Sequence, residues 1–268
     1  LGLDERMLTW QRGASGDSGL ALRLKTLASE GARLSPATVM ALDEAAWVIA
    51  TQHRLIEWIG GDLAAARWRS FEPSSNYGES GYPSWQHGIY LAQQTRKNLR
   101  IGEFDAIENM RDFCERLLGI PIVQCELPNE IAGATILNGN SRGIVVNTKG
   151  SNQNVWIRRA TLAHEIGHLL WDPKGRLGSL CVDNYIGIES DARSVPDYIE
   201  QRANAFSVEF LAPLGGVFQT FKLHSDSRDG LRAVMERFGV SFAVARYQVW
   251  HAHDRSFPIE TLQVEDNT

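Results

Sequence analysis

The stretch Thr161-Leu-Ala-His164-Glu165-Ile-Gly-His168-Leu-Leu-Trp171 decides how the rest of the chain is read. Leu162, Ile166, Leu169 and Leu170 give the run an apolar face at helical spacing, which predicts a buried α-helix. Asp172-Pro173 ends it, because proline disfavours helical backbone at the residue before it. His164 and His168 are four residues apart, so on that helix both imidazoles stand on one face and can reach a single metal ion. Glu165 sits beside that ion rather than on it, placed to take a proton from an attacking water. Two ligands and a general base on one helix make the H-E-x-x-H pattern of zinc-dependent hydrolysis.

A catalytic zinc keeps three protein ligands and one open position, so a third donor must come from elsewhere. The segment Pro196-Asp197-Tyr198-Ile-Glu200-Gln-Arg-Ala-Asn204-Ala-Phe206-Ser-Val-Glu209-Phe210-Leu211-Ala-Pro213 reads as a second helix. Asp197 suits its cap, an acidic first turn suits its dipole, and Pro213 lies past its end. Ala203, Phe206, Phe210 and Leu211 would pack it against the His164 helix. Glu200 shares the face of Ala203 and Asn204 and points inward, where a metal would relieve the cost of a buried carboxylate. Asn204, one turn on, is placed to accept the Nδ1–H of a ligand histidine. The competing reading makes Glu200 and Asn204 a solvated face, and Glu209 is a rival donor.

Composition narrows the class. Hydrophobic residues make up 43% of the 268 and charged residues 22%, as in ordinary globular proteins. A net charge of -5 argues against a chain-wide basic surface for nucleic acid. No apolar run of about 18 residues is present, so no membrane span is expected. Cys114, Cys125 and Cys181 are an odd set without framework spacing, which fits a reducing, cytoplasmic compartment.

The pattern predicts an α+β fold with three regions: a mostly helical stretch 1–83, a metallopeptidase core 84–215 and a helical region 216–268. Leu20 to Leu27 and Ala41 to Ile59 carry apolar residues at helical spacing, and Ser35-Pro36 marks the start of the second of these helices. Trp47 and Trp58 are expected in the core. The Gly-, Ser- and Pro-rich stretch 72–83 is the best boundary. Further helices are predicted over Trp85–Asn98 and Phe104–Leu118, the latter stopping at Gly119. Strands are predicted at Ile120–Leu127, Ala132–Leu137 and Gly143–Asn147, forming a small antiparallel sheet that leads into the His164 helix.

Taken together, Ala163-His-Glu-Ile-Gly-His168-Leu-Leu, Glu200-Gln-Arg-Ala-Asn204-Ala-Phe206 and Leu211-Ala-Pro213 resemble the ImmA/IrrE family of bacterial metallopeptidases. Leu91 to Leu99, Ile144 to Asn147, Leu231 to Ser241 and Arg246-Tyr247 are similar as well, so the resemblance spans about residues 85–250. It implies a zincin-like core and Zn²⁺ as cofactor. It also implies a protein substrate, usually a helix-turn-helix transcriptional repressor, whose cleavage derepresses stress, mobile-element or phage-defence genes. Many relatives carry their own helix-turn-helix domain; residues 1–60 do not obviously show one, which leaves direct DNA binding by this chain in doubt.

Other positions carry sharper hypotheses beside plainer ones. Tyr185 and Tyr198 are candidate oxyanion donors, weighed against packing or surface roles. Val145, Val146 and Asn147 could pair with an extended substrate by β-addition. Cys181, between the two metal motifs, could fill the open zinc position as a regulatory thiolate or be a small apolar loop residue. The segment Pro173–Pro196 is either a lid or a surface loop. His53, His87, His224, His251 and His253 read as surface residues. The rival to the enzyme is a catalytically silent zincin-fold regulator that senses a ligand or partner; an intact Glu165 speaks against it.

Overall fold

The computed structural model describes residues 35–60, 83–138, 141–172, 180–184 and 198–253. Eight α-helices and a four-stranded sheet make up the described part. They are α1 (Pro36–Trp58), α2 (Ser84–Asn98), α3 (Met110–Asp112, continuing as a π-helical run Phe113–Leu118), β1 (Ile122–Cys125), β2 (Ile131–Asn138) and β3 (Ser141–Asn147). After these come α4 (Val155–Trp171), β4 (Leu180–Asn184), α5 (Tyr198–Leu211), α6 (Leu214–Lys222), α7 (Ser227–Phe238) and α8 (Phe242–Ala252). No helix among the described residues is long and apolar enough to cross a membrane.

The fold is α+β, with two changes to the expected sheet, a parallel pair and a fourth strand. Strand order is β1-β3-β2-β4. β2 runs antiparallel to both β3 and β4, but β1 pairs with β3 in parallel, Ile122 opposite Ile144. Only residues 126–130 join β1 to β2, so the two strands run in opposite directions; β3 is antiparallel to β2 and therefore parallel to β1, and the sheet is mixed. β4 comes from the segment between the two metal motifs, which is therefore neither a free lid nor a plain surface loop along its whole length.

Alternation along the strands sorts side chains to two faces. Ile122, Ile144 and Val146 join the large core made by α2 to α8. Ala134, Ile136 and Val145 face the other way, against Leu42, Ala45, Ala46 and Ile49 of α1. The sheet thus has α4 on one side and α1 on the other. Contact with α1 is close at Gly143, where any Cβ would strike the Ile49 side chain.

The start of α1 follows the sequence signal: Ser35 Oγ accepts from Thr38 N–H at 3.1 Å, with Pro36 in the first turn. Trp47 and Trp58 do not enter the core; they are 38% and 80% exposed, because the helix turns Leu42, Ala45, Ala46 and Ile49 to the sheet instead. The expected Phe104–Leu118 helix begins only at Met110. Carbonyls upstream of it are taken by two arginines: Arg96 donates to Gly102 and Asp105, and Arg159 to Ile107 and Glu108. The predicted stop holds, with Gly119 left-handed at φ 73°. His53 and His87, expected at the surface, are buried. The predicted Leu20–Leu27 helix and the 72–82 part of the predicted boundary lie outside the described residues.

Candidate metal centre

α4 is pinned at its start by Asn154, whose Oδ1 accepts from Trp156 N–H, and by Asn152, which donates to Ala132 O of β2 and accepts from Thr161 Oγ1. It ends at Trp171, as the Asp172-Pro173 signal requires. His164 and His168 project from it, both buried. Their Nε2 atoms are 2.9 Å apart. Glu200, in the first turn of α5, brings Oε2 to 3.3 Å from His164 Nε2 and Oε1 to 3.5 Å from His168 Nε2. Donors about 2.0–2.1 Å from one ion at tetrahedral angles stand roughly 3.3 Å apart, so these spacings match a shared metal. Among the described residues these three form the one cluster able to hold an ion. Burial alone would raise the Glu200 pKa, but hydrogen bonds and charge from the two histidines outweigh it and hold the carboxyl well below its usual range.

Glu165 is fully buried and turns towards the sheet. Thr135 Oγ1 of β2 donates to its Oε2 at 2.5 Å. Its Oε1 would stand 2.8 Å from a Cβ at residue 133, so Gly133 is what makes room for the carboxylate. β2 therefore forms a cradle for the Glu165 carboxylate.

The two helices that carry the candidate donors approach closely. A Cβ at Gly167 would meet the Phe206 ring at 2.9 Å, so glycine lets α5 lie flat on α4. On its other side α5 is backed by α2, where Gly88 faces the backbone of Arg202 and Phe206. Ala203, Phe206, Phe210 and Leu211 are all buried, as the helical pattern predicts.

Other expected site residues fall elsewhere. Asn204 does not hold a ligand histidine: its Oδ1 accepts no hydrogen bond among the described residues. That contact belongs to Asp172, whose Oδ2 lies 2.8 Å from His168 Nδ1 and whose Oδ1 is ion-paired with Arg202 of α5. Tyr198 places its hydroxyl 3.2 Å from His87 Nδ1 on α2, on a helix face about 160° from that of Glu200. Val145, Val146 and Asn147 cannot receive a substrate strand, because β3 lies inside the sheet and is paired on both sides. Asn147 is fully spent on the fold: it accepts from Leu127 and Lys149 N–H and donates to Leu127, Pro128 and Ile131 carbonyls. Glu209, the rival donor, is bonded to Gln93, Gln248 and Leu214 N–H, away from the histidines. Cys181 lies in β4 with its backbone opposite Thr135. Its side chain, and all of Tyr185, lie outside the described residues.

A family model described as the IrrE N-terminal-like domain, a peptidase family, matches residues 116–249, half of the chain. The chain belongs to this family. No curated protein matches it. The IrrE-like span contains His164, Glu165, His168 and Glu200 and runs into α8. α2 lies before the span yet backs α5 directly, so the IrrE-like site depends on a helix that the family match does not include. The family assignment makes the chain a member of a metallopeptidase family. Within it, Asp172 could have been found from sequence, since it stands four residues after His168 on the same helix face. Thr135 and Gly133 could not, because strand register carries no local signal.

Proposed function

We propose that this chain is a zinc-dependent endopeptidase in which His164, His168 and Glu200 hold Zn²⁺ and Glu165 is the general base. The observation that carries this is the convergence of two imidazole Nε2 atoms, 2.9 Å apart, with the Glu200 carboxylate, which brings one oxygen to 3.3 Å from His164 and the other to 3.5 Å from His168, next to a second carboxylate, Glu165, held by Thr135. Zinc bound there would polarise the scissile carbonyl and make water acidic enough to deprotonate near neutral pH. Glu165 accepts the proton of the attacking water and passes it to the leaving amine. Thr135 keeps that carboxylate oriented, and the buried walls of α4 and β2 exclude bulk water. An extended substrate that adds to the sheet would use β4, the edge strand next to β2, rather than β3.

The substrate we propose is a helix-turn-helix transcriptional repressor, cut in the cytoplasm to derepress stress, mobile-element or phage-defence genes. This part rests on the family. Elemental analysis of purified protein tests the metal: about one zinc per chain, retained in Glu165→Gln and lost in His168→Ala and Glu200→Ala. Incubation with candidate repressors, followed by mass spectrometry, tests the chemistry. Glu165→Gln should keep zinc and lose cleavage. A wild type without zinc, or a Glu165→Gln protein that cleaves as well as wild type, would refute the reading.

A further inference from the structure

Asp172 and Arg202 are outside the donor set, yet they are only 3% and 4% exposed. Burying two charges is expensive unless each is paired and its hydrogen-bonding atoms are satisfied. The Asp172 carboxylate divides its oxygens between the two helices that carry the metal donors. Oδ2 lies 2.8 Å from His168 Nδ1 on α4, and Oδ1 meets the Arg202 guanidinium on α5. Its backbone N–H also closes α4, donating to His168 O at 3.0 Å. Asp172 is thus tied to His168 through both backbone and side chain.

We propose that Asp172 is a positioning residue for His168 and that Arg202 holds it in place, so that metal affinity depends on α5 being docked on α4. The proposal rests on the reading of His164, His168 and Glu200 as metal ligands. A neutral imidazole carries one proton. A carboxylate at Nδ1 draws that proton there and leaves the Nε2 lone pair facing His164 and Glu200. Burial lowers the Arg202 pKa to about 10, which still leaves it cationic at neutral pH, so it faces Asp172 as a fixed positive partner. α5 therefore reaches α4 twice, once through Glu200 at the donors and once through Arg202 behind them. A movement of α5 would withdraw a ligand and release the histidine's anchor together.

The test is zinc affinity of the full chain, measured by competition with a chromogenic chelator. Wild type is compared with Asp172→Asn, Arg202→Met and the double variant, with circular dichroism confirming the fold of each. Asp172→Asn should bind zinc about 10–100-fold more weakly, as loss of an outer partner of a ligand histidine does. Arg202→Met should also be weaker, and the double variant no weaker than Asp172→Asn, because the two act as one unit. Affinity of Asp172→Asn within about twofold of wild type, or a double variant equal to the product of the singles, would overturn the proposal. A wild type that takes up no zinc fails the metal reading itself, which is a different result. A second measurement needs no Asp172 or Arg202 variant: ¹⁵N-histidine NMR of zinc-loaded wild type should show His168 protonated at Nδ1, its signal assigned by loss in His168→Ala. An unprotonated Nδ1 would overturn the proposal.

Discussion

Replacing Gly88 by Ala should loosen the metal centre from a helix that carries none of its ligands. A Cβ at this position would stand 2.2 Å from Arg202 O, 2.8 Å from Ala205 Cβ and 2.9 Å from Phe206 N. An unstrained carbon–oxygen contact is about 3.3 Å, so α2 and α5 must separate by roughly 1 Å. Two effects of opposite sign compete. Alanine favours a helix interior over glycine by about 1 kcal/mol, which alone would stabilise the protein. Overpacking costs about 1–3 kcal/mol and sometimes more, and here it falls at the upper end because two of the three atoms are backbone and cannot rotate away. A net loss of about 2 kcal/mol follows, or roughly 4–8 °C in Tm for a chain of this size. The helix that is pushed carries Glu200 two residues before the clashing carbonyl, so zinc affinity should fall as well. Thermal melts by circular dichroism and a chelator competition measure both. A Gly88→Ala protein that melts at or above the wild-type temperature would mean that propensity wins and that the α2–α5 contact is not as close as described.

Three further perturbations probe other parts of the same structure. Burial and then the charge of Arg202 push His87 down from 6.5 to about 4. The unfolded chain therefore binds more protons than the folded one between those values. Stability should fall as the pH drops through that window, by up to about 3 kcal/mol, and His87→Gln should flatten the dependence in urea titrations at about pH 7 and 4.5. Thr135→Val removes the 2.5 Å hydrogen bond to Glu165 and should cost about 1.5–3 kcal/mol, with zinc content unchanged and stability restored in Thr135→Ser; a neutral Val variant would remove the cradle argument. Ser35→Ala deletes the cap of α1 and should cost about 1 kcal/mol, read from the urea midpoint.

Much of the site was legible because its parts are local. His164, Glu165 and His168 are placed by one turn of helix, and the helix is announced by its own apolar positions. Glu200 was legible at one remove: its helix was clear, and the need for a third donor selected it. Asn204 failed as the anchor of a ligand histidine although it satisfied the same spacing argument, because Asp172 reaches His168 along α4 itself and needs no second helix. Trp47 and Trp58 failed for a related reason. Residue size suggested core, but the side of α1 that meets the sheet carries Leu42, Ala45, Ala46 and Ile49, with Ile49 seated over Gly143, and the tryptophans lie off that side. His53 and His87 looked like surface residues because a lone histidine has no periodic signature; each is buried where another element supplies a partner, Arg142 O for His53 and Tyr198 for His87.

The sequence alone marked most of the described helices, the Ser35 cap and the Gly119 and Asp172 stops, and the one turn that carries His164, Glu165 and His168, since these follow from backbone geometry within a few residues. Tertiary structure decided the rest. It put β3 inside the sheet, made β4 from the segment between the motifs, set Thr135 and Gly133 against Glu165, and ran an ion pair from α4 to α5 behind His168. Each of these depends on which strand or helix lies next to which, and on a register that the local pattern does not encode. The physical reason is that side-chain periodicity assigns each residue to a face, whereas the partner on that face is chosen only when distant segments close together.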